Sequence, residues 1–249
     1  MNEIDVLKRF LAVPLGNSDP IFQYFSNLPN REIIFRGERP KRFLYIRGKR
    51  QNKVVLVAHA DTVWDSLTGR DEDTRHELVF SNGIFRSSST ICGIGADDRA
   101  GCAMLWLLKD LGHSLLITDG EEVGGIGSNW LMDDPTNADI AQEINREHQF
   151  MVQLDRRHGK DFKCYSVGTD AFRNYLLRVT GYTEPDRFSF TDIVTLCRDI
   201  TGVNLSIGYR HEHSSQESLS VEEWQNTLNL CRRWLSNDYL PRFSLTKPN

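Results

Sequence analysis

The chain has no run approaching the ~18 consecutive apolar residues that a membrane-spanning helix needs. Its opening, MNEIDVLKRF, scatters charges among the apolar positions and so lacks the apolar core of a secretory signal. No CxxC pair occurs. Five cysteines, at 92, 102, 164, 197 and 231, leave an odd number, which predicts reduced thiols filling the core of a cytoplasmic protein. A large excess of one charge is also missing: a net charge of −4 offers no attraction to nucleic acid or to an acidic membrane, and a small substrate fits better. There is no GxxxxGK[ST] phosphate loop. The Gly93-Ile94-Gly95 stretch carries Asp98 where a dinucleotide fingerprint needs its third glycine, and an acid there would repel a pyrophosphate. No internal repeat or low-complexity linker interrupts the 249 residues, and 18 glycines and 8 prolines are scattered over turns, so residues 1–249 are expected to form one domain.

What is present alternates between strand and helix patterns. Ile4, Leu7 and Leu11 recur at helical spacing, and a short helix is expected after Pro20. Runs at 31–36 and 42–47 read as strands and lead into 53–60, whose VVLVA centre is apolar on both faces, as in a strand covered on both sides. Asn82-Gly83 marks a hairpin between 78–80 and 84–86, expected to be peripheral. Ala100, Ala103, Met104, Leu107, Leu108 and Leu111 trace one face of a long helix ending at Gly112. Strands are expected at 114–118, 150–154, 162–167 and 203–207, and helices at 138–147, 169–178 and 191–200. A last helix opens on the capping box Ser220/Glu223. The alternation predicts an α/β fold: a three-layer α/β/α domain with a central mixed, mostly parallel sheet.

Metal-binding residue types gather where these strands end. His59-Ala60-Asp61 follows VVLVA, and side chains two apart at a strand end can project to the same side, so Asp61 can accept the imidazole proton and orient the ring. Asp97-Asp98 opens the long helix; one aspartate would serve as a cap, and two exceed that need. Glu121-Glu122 lies in a turn where three acids crowd into four positions, a repulsion that a cation would relieve. Asp155 ends a buried strand beside Arg156-Arg157, which could simply neutralise it. His211 and His213 follow the last strand, and spacing alone does not choose between them. His76, His113 and His148 have no acidic strand-end context and are assigned no chemistry. Two histidines and three carboxylates so arranged suit a pair of zinc ions sharing one carboxylate, and the chain reads as a metal-dependent hydrolase.

The ordered tracts HADTV, GADDRAG, DGEEVGG, LDRR and YRHEHS resemble the co-catalytic di-zinc exopeptidases, a superfamily that includes aminopeptidases, the tripeptidase peptidase T and carboxypeptidase G-like enzymes. The resemblance spans roughly Val54 to Ser214. It implies one divalent ion on His59, Asp97 and Asp155 and a second on Asp97, Glu122 and His213, with Asp97 shared. The ions would be zinc, with cobalt or manganese as alternatives. Glu121 aligns with the catalytic base and Asp61 with the acid that orients the first histidine, and His213 is preferred over His211 because the last ligand of such a tract precedes Ser or Thr. Relatives with a lid or dimerisation domain insert it between the fourth and fifth ligands. Here only 58 positions (155 to 213) separate the two, which resembles the single-domain aminopeptidase branch.

The implied activity is amide hydrolysis of short peptides or amino-acid amides, as an aminopeptidase. An N-acyl amino acid amidohydrolase, a carboxypeptidase or a binding protein that has lost catalysis are the alternatives. A positioned arginine, Arg210 or Arg173, would favour substrates with a free carboxylate, whereas an unpaired acid, Asp170 or Asp192, would favour a free amine. The open mouth left by the missing lid suggests covering by a neighbouring subunit in a homo-oligomer.

Overall fold

The computed structural model describes residues 2–64, 76–185 and 190–245. Seven strands form the main sheet in the order β1-β2-β6-β3-β7-β9-β8. They are β1 (Ile33–Glu38), β2 (Lys41–Ile46), β3 (Val55–His59), β6 (Ser114–Thr118), β7 (Met151–Arg156), β8 (Phe162–Lys163) and β9 (Gly202–Ser206). The central four, β6, β3, β7 and β9, run parallel. β2 and β8 run against them, so the sheet is mixed and mostly parallel, as expected.

The doubly covered pattern of VVLVA is realised residue by residue. Leu56 and Ala58 join a core with Phe10, Ala103, Leu105, Phe172 and Trp224 on one side of the sheet. Val55 and Val57 join Leu131, Ile140, Ile144, Ile193 and Leu196 on the other. The first layer holds α1 (Glu3–Leu11), α2 (Asp19–Ser26), α3 (Ala96–Leu108), α6 (Asp170–Thr180) and α8 (Val221–Leu235). The second holds α4 (Ile126–Asp133), α5 (Ala138–Arg146) and α7 (Asp192–Leu196). Period-two alternation in the strands thus sorts the helices into two layers.

Several local expectations need correction. The stretch 162–167 is a strand only at Phe162–Lys163 and then turns into a 3-10 helix at Tyr165–Val167. The helix expected at 191–200 is one turn, Asp192–Leu196, because Cys197 is extended. Helix α4 was not expected at all: IGSNWLMD follows a glycine-rich turn and carries no long apolar period.

The Asn82-Gly83 hairpin forms, with both residues at positive φ as its turn demands, joining β4 (Leu78–Ser81) to β5 (Ile84–Ser87). It lies at the periphery, largely exposed, as expected, and it also joins a sheet that was not expected. β5 pairs with β11 (Ser218–Ser220) and β11 with β10 (Tyr209–Arg210), giving a second, four-stranded antiparallel sheet. This sheet anchors both ends of the segment that carries His213.

Candidate metal centre

β3 has neighbours on both sides that follow it in the chain: β6 on one flank and β7 on the other. In parallel sheets such a reversal opens a crevice at the carboxyl ends of the strands. His59 is in register with Thr118, so the turn after β6 begins level with it. Val57 is in register with Gln153, which sets Asp155, two residues on, level with His59. Three of the sequence signals therefore meet at one sheet edge for reasons of register.

Asp97 lies at the centre. Its Oδ1 is 3.2 Å from His59 Nε2 and its Oδ2 is 3.3 Å from His213 Nε2. Asp155 Oδ1 stands 3.7 Å from His59 Nε2, and Glu122 Oε2 stands 3.0 Å from His213 Nε2. Glu121 Oε2 is farther from His59 Nε2, at 3.9 Å. Asp61 Oδ1 is 3.4 Å from the other ring nitrogen of His59, and the Asp61 carboxylate also accepts the backbone N–H groups of Glu121 and Glu122. All seven expected site residues thus come together, and His213 rather than His211 faces the carboxylates.

The paired aspartates divide two tasks. Asp97 and Asp98 both have non-helical backbone angles, so the regular turns of α3 start after them, a correction to the expectation that Asp97 opens the helix. Asp98 does the capping: its carboxylate accepts the Gly101 N–H at 3.1 Å and the His59 N–H at 3.1 Å. That leaves Asp97 free to face the two histidines. Asp98 also has an oxygen close to His59 and Asp155, but both its oxygens are occupied by these backbone donors.

Several supporting residues were not foreseen. Asp155 accepts from Gln153 Nε2 (3.0 Å), Thr191 Oγ1 (2.7 Å) and Tyr209 OH (3.2 Å), and its backbone N–H donates to Asn204. A polar Gln153 inside the buried apolar strand β7 was a readable signal. Glu217 accepts backbone N–H groups from Ile94, Gly95 and Asp97, and nothing in the tract SSQES sets it apart from a solvated acid.

The electrostatics are those of a site with too many acids. Burial disfavours a charged His59, yet Asp155, Asp61 and Asp97 outweigh it and hold the imidazole pKa well above its usual value. Asp97 and Glu122 raise His213 in the same way. Burial pushes Asp155 up to about 7, and the neighbouring Asp97 charge adds to it. Glu121 is likewise driven well above the carboxylate range by burial, against the attraction of His59 and with added repulsion from Asp155, Asp192 and Asp97.

The donor set fits divalent cations. Two imidazoles and several carboxylates are the ligands that zinc and its neighbours take, and the ligand atoms of His59, Asp97 and Glu122 lie within 4.8 Å of one another. Glu122 Oε1 is buried with no hydrogen-bond partner among the described residues, a costly state that coordination would relieve.

No family model matches the chain, and no curated protein does. Solved structures do. An aminopeptidase PepT from Bacillus cereus superposes with a TM-score of 0.66 at 13% identity, covering 95% of this chain and 98% of that one. A tripeptidase from Staphylococcus aureus gives 0.65 at 13% identity, with 95% and 100% covered. The TET1 peptidase of Pyrococcus horikoshii gives 0.60 at 13% identity, with 92% and 98% covered. The chain has the α/β fold of these peptidases.

Proposed function

We propose that this chain is a two-metal exopeptidase of the aminopeptidase type acting on short peptides, built as a single domain without an inserted lid. One observation carries the proposal: the two oxygens of Asp97 each face a different histidine, at 3.2 and 3.3 Å. A lone structural aspartate has no need of two imidazoles, whereas a carboxylate shared between two cations needs one ligand set on each side. His59, Asp97 and Asp155 would hold the first ion and Asp97, Glu122 and His213 the second. Bound there, zinc, or cobalt or manganese in its place, supplies Lewis acidity that polarises a peptide carbonyl and lowers the pKa of water.

The chain's own groups do the rest. Asp61 holds the His59 ring through Nδ1 and fixes the turn of Glu121 through its backbone N–H. Glu121, whose Oε2 stands 3.9 Å from His59 Nε2, takes the proton from the attacking water and returns it to the leaving amine. Asp155 is kept in place by Gln153, Thr191 and Tyr209, so that its Oδ1 points at His59.

Substrates with a free carboxylate fit less well. Arg210 is bound at both guanidinium nitrogens by Glu223, and Arg173 by Glu184 together with the carbonyls of Tyr165 and Gly168. Neither guanidinium is spare for an N-acyl amino acid or a carboxyl-terminal residue. The cysteines at 92, 102, 164, 197 and 231 are all free and buried, in keeping with a reducing compartment such as the cytoplasm. No helix among the described residues is long and apolar enough to cross a membrane. Assembly into a homo-oligomer that covers the site mouth is part of the proposal, since the TET1 peptidase can assemble into a tetrahedron or an octahedral shell, and light scattering tests it.

Protein loaded with zinc, cobalt or manganese releases free amino acids from a dipeptide panel, loses that activity to a chelator and regains it on metal return. Release that survives chelation unchanged overturns the proposal.

A further inference from the structure

We propose that Glu217 is a positioning residue that fastens the loop carrying Asp97 to the segment carrying His213 and so sets the geometry of the second cation position. The inference rests on the function proposed above and concerns the same site. Glu217 Oε2 accepts the N–H groups of Ile94 and Gly95, each at 2.8 Å, and Oε1 accepts that of Asp97 at 3.2 Å. The Glu217 N–H donates to Ser214 O at 3.1 Å, closing the turn immediately after His213. One residue therefore joins the two segments across more than a hundred positions of sequence, its side chain binding 94–97 and its backbone N–H closing the turn 214–217.

Two observations show that this contact is built rather than incidental. Glu217 is 1% exposed and its carboxylate meets only backbone donors, an expensive burial for a group whose task is to fill space. Gly93 leaves it no slack: a Cβ there would lie 2.2 Å from Glu217 Oε2 and 2.9 Å from Ser214 O. The consequence is unequal for the two ions. His59 and Asp155 sit on the neighbouring strands β3 and β7, and their own supports, Asp61 for His59 and Gln153, Thr191 and Tyr209 for Asp155, do not involve Glu217. Asp97, Glu122 and His213 all lie outside strands, and the Asp97 to His213 relation depends on how the two loops are joined.

Glu217→Gln tests this, because an amide offers one acceptor oxygen where three N–H groups converge on two. Metal-free full-length protein is titrated with cobalt(II), following d–d absorption and stoichiometry. The wild type takes two equivalents. The variant is expected to take the first within ~3-fold of wild-type affinity and the second ~10–100-fold more weakly, with an unchanged circular dichroism spectrum. Two equivalents bound at wild-type affinity with a wild-type spectrum overturn this inference alone. Wild-type protein that takes up no cobalt overturns the proposed function and this inference with it. Should Glu217→Gln fail to fold, Glu217→Asp, which keeps the charge and loses reach, must weaken the second equivalent likewise; wild-type affinity there overturns the assignment.

Discussion

The two ends of the same parallel strands treat histidine in opposite ways. Before β6, His113 accepts the Val54 N–H at Nδ1 and its Nε2 lies 2.8 Å from the carbonyl of Leu235. Before β7, His148 meets Ser114 Oγ at 2.8 Å and the Glu143 carbonyl at 3.3 Å. Burial drives these two rings down, to about 4 and about 3 respectively, so they stay neutral and serve as internal hydrogen-bonding struts. At the carboxyl ends of the strands, His59 is equally buried and yet pushed up, because carboxylates rather than carbonyls and hydroxyls surround it. The contrast teaches that burial alone does not mark a functional histidine. Excess negative charge around it does, and that excess is what a pair of cations would neutralise.

The largest expected effect comes from removing Asp97, the acid proposed to be shared. Asp97→Asn should abolish uptake of both cations and bring peptide hydrolysis to background, measured by metal analysis and amino-acid release; one retained equivalent would break the picture of a shared ligand. Glu121→Gln comes next, with turnover falling ~10²–10⁴-fold while metal content stays at wild type. Parallel loss of metal would demote Glu121 to a ligand or a structural acid. On the opposite edge, His148→Leu should leave cation uptake unchanged and cost about 1–3 kcal/mol of stability, because the Ser114 hydroxyl loses a buried partner. A change in cobalt affinity there would erase the distinction between the two edges.

The same two histidines also predict a pH slope. His113 and His148 take up protons in the unfolded chain near pH ~6.5 and in the folded chain only near about 4 and about 3. Between those limits the unfolded state binds more protons, so stability is fully present above pH ~6.5 and declines as pH falls through the window. The raised carboxylates of the metal-free protein, Asp155 and Glu121 among them, contribute a slope of the opposite sign, so the histidine share is read as a difference: the stability of His113→Gln relative to wild type, from denaturant midpoints, should rise as pH falls from ~6.5 towards about 4. A difference that does not change with pH would show that His113 carries none of the slope.

Much of the sheet was legible because it is written in local periodicity. VVLVA announces β3, SLLIT coincides with β6, and both carry the both-faces-apolar pattern of strands between two helical layers. Helix α4 was not legible, since it follows Gly124-Gly125 and its buried residues, Gly127, Ser128 and Leu131, include only one large apolar side chain. The candidate site was legible as residue types at strand ends, together with the resemblance they carry. Its supports were not: Thr191, Tyr209 and Glu217 meet their partners across 36, 54 and 120 or more positions.

Which residues could bind cations, and that they would sit at strand ends, follows from the order of the chain, since hydrophobic period and polar punctuation are local properties. That Asp97 turns one oxygen to His59 and the other to His213, that Asp98 is spent on capping, and that Glu217 joins two loops were decided only by the packed structure. Strand register and the satisfaction of buried backbone donors act between segments far apart in sequence, and the free energy that selects them exists only once those segments touch.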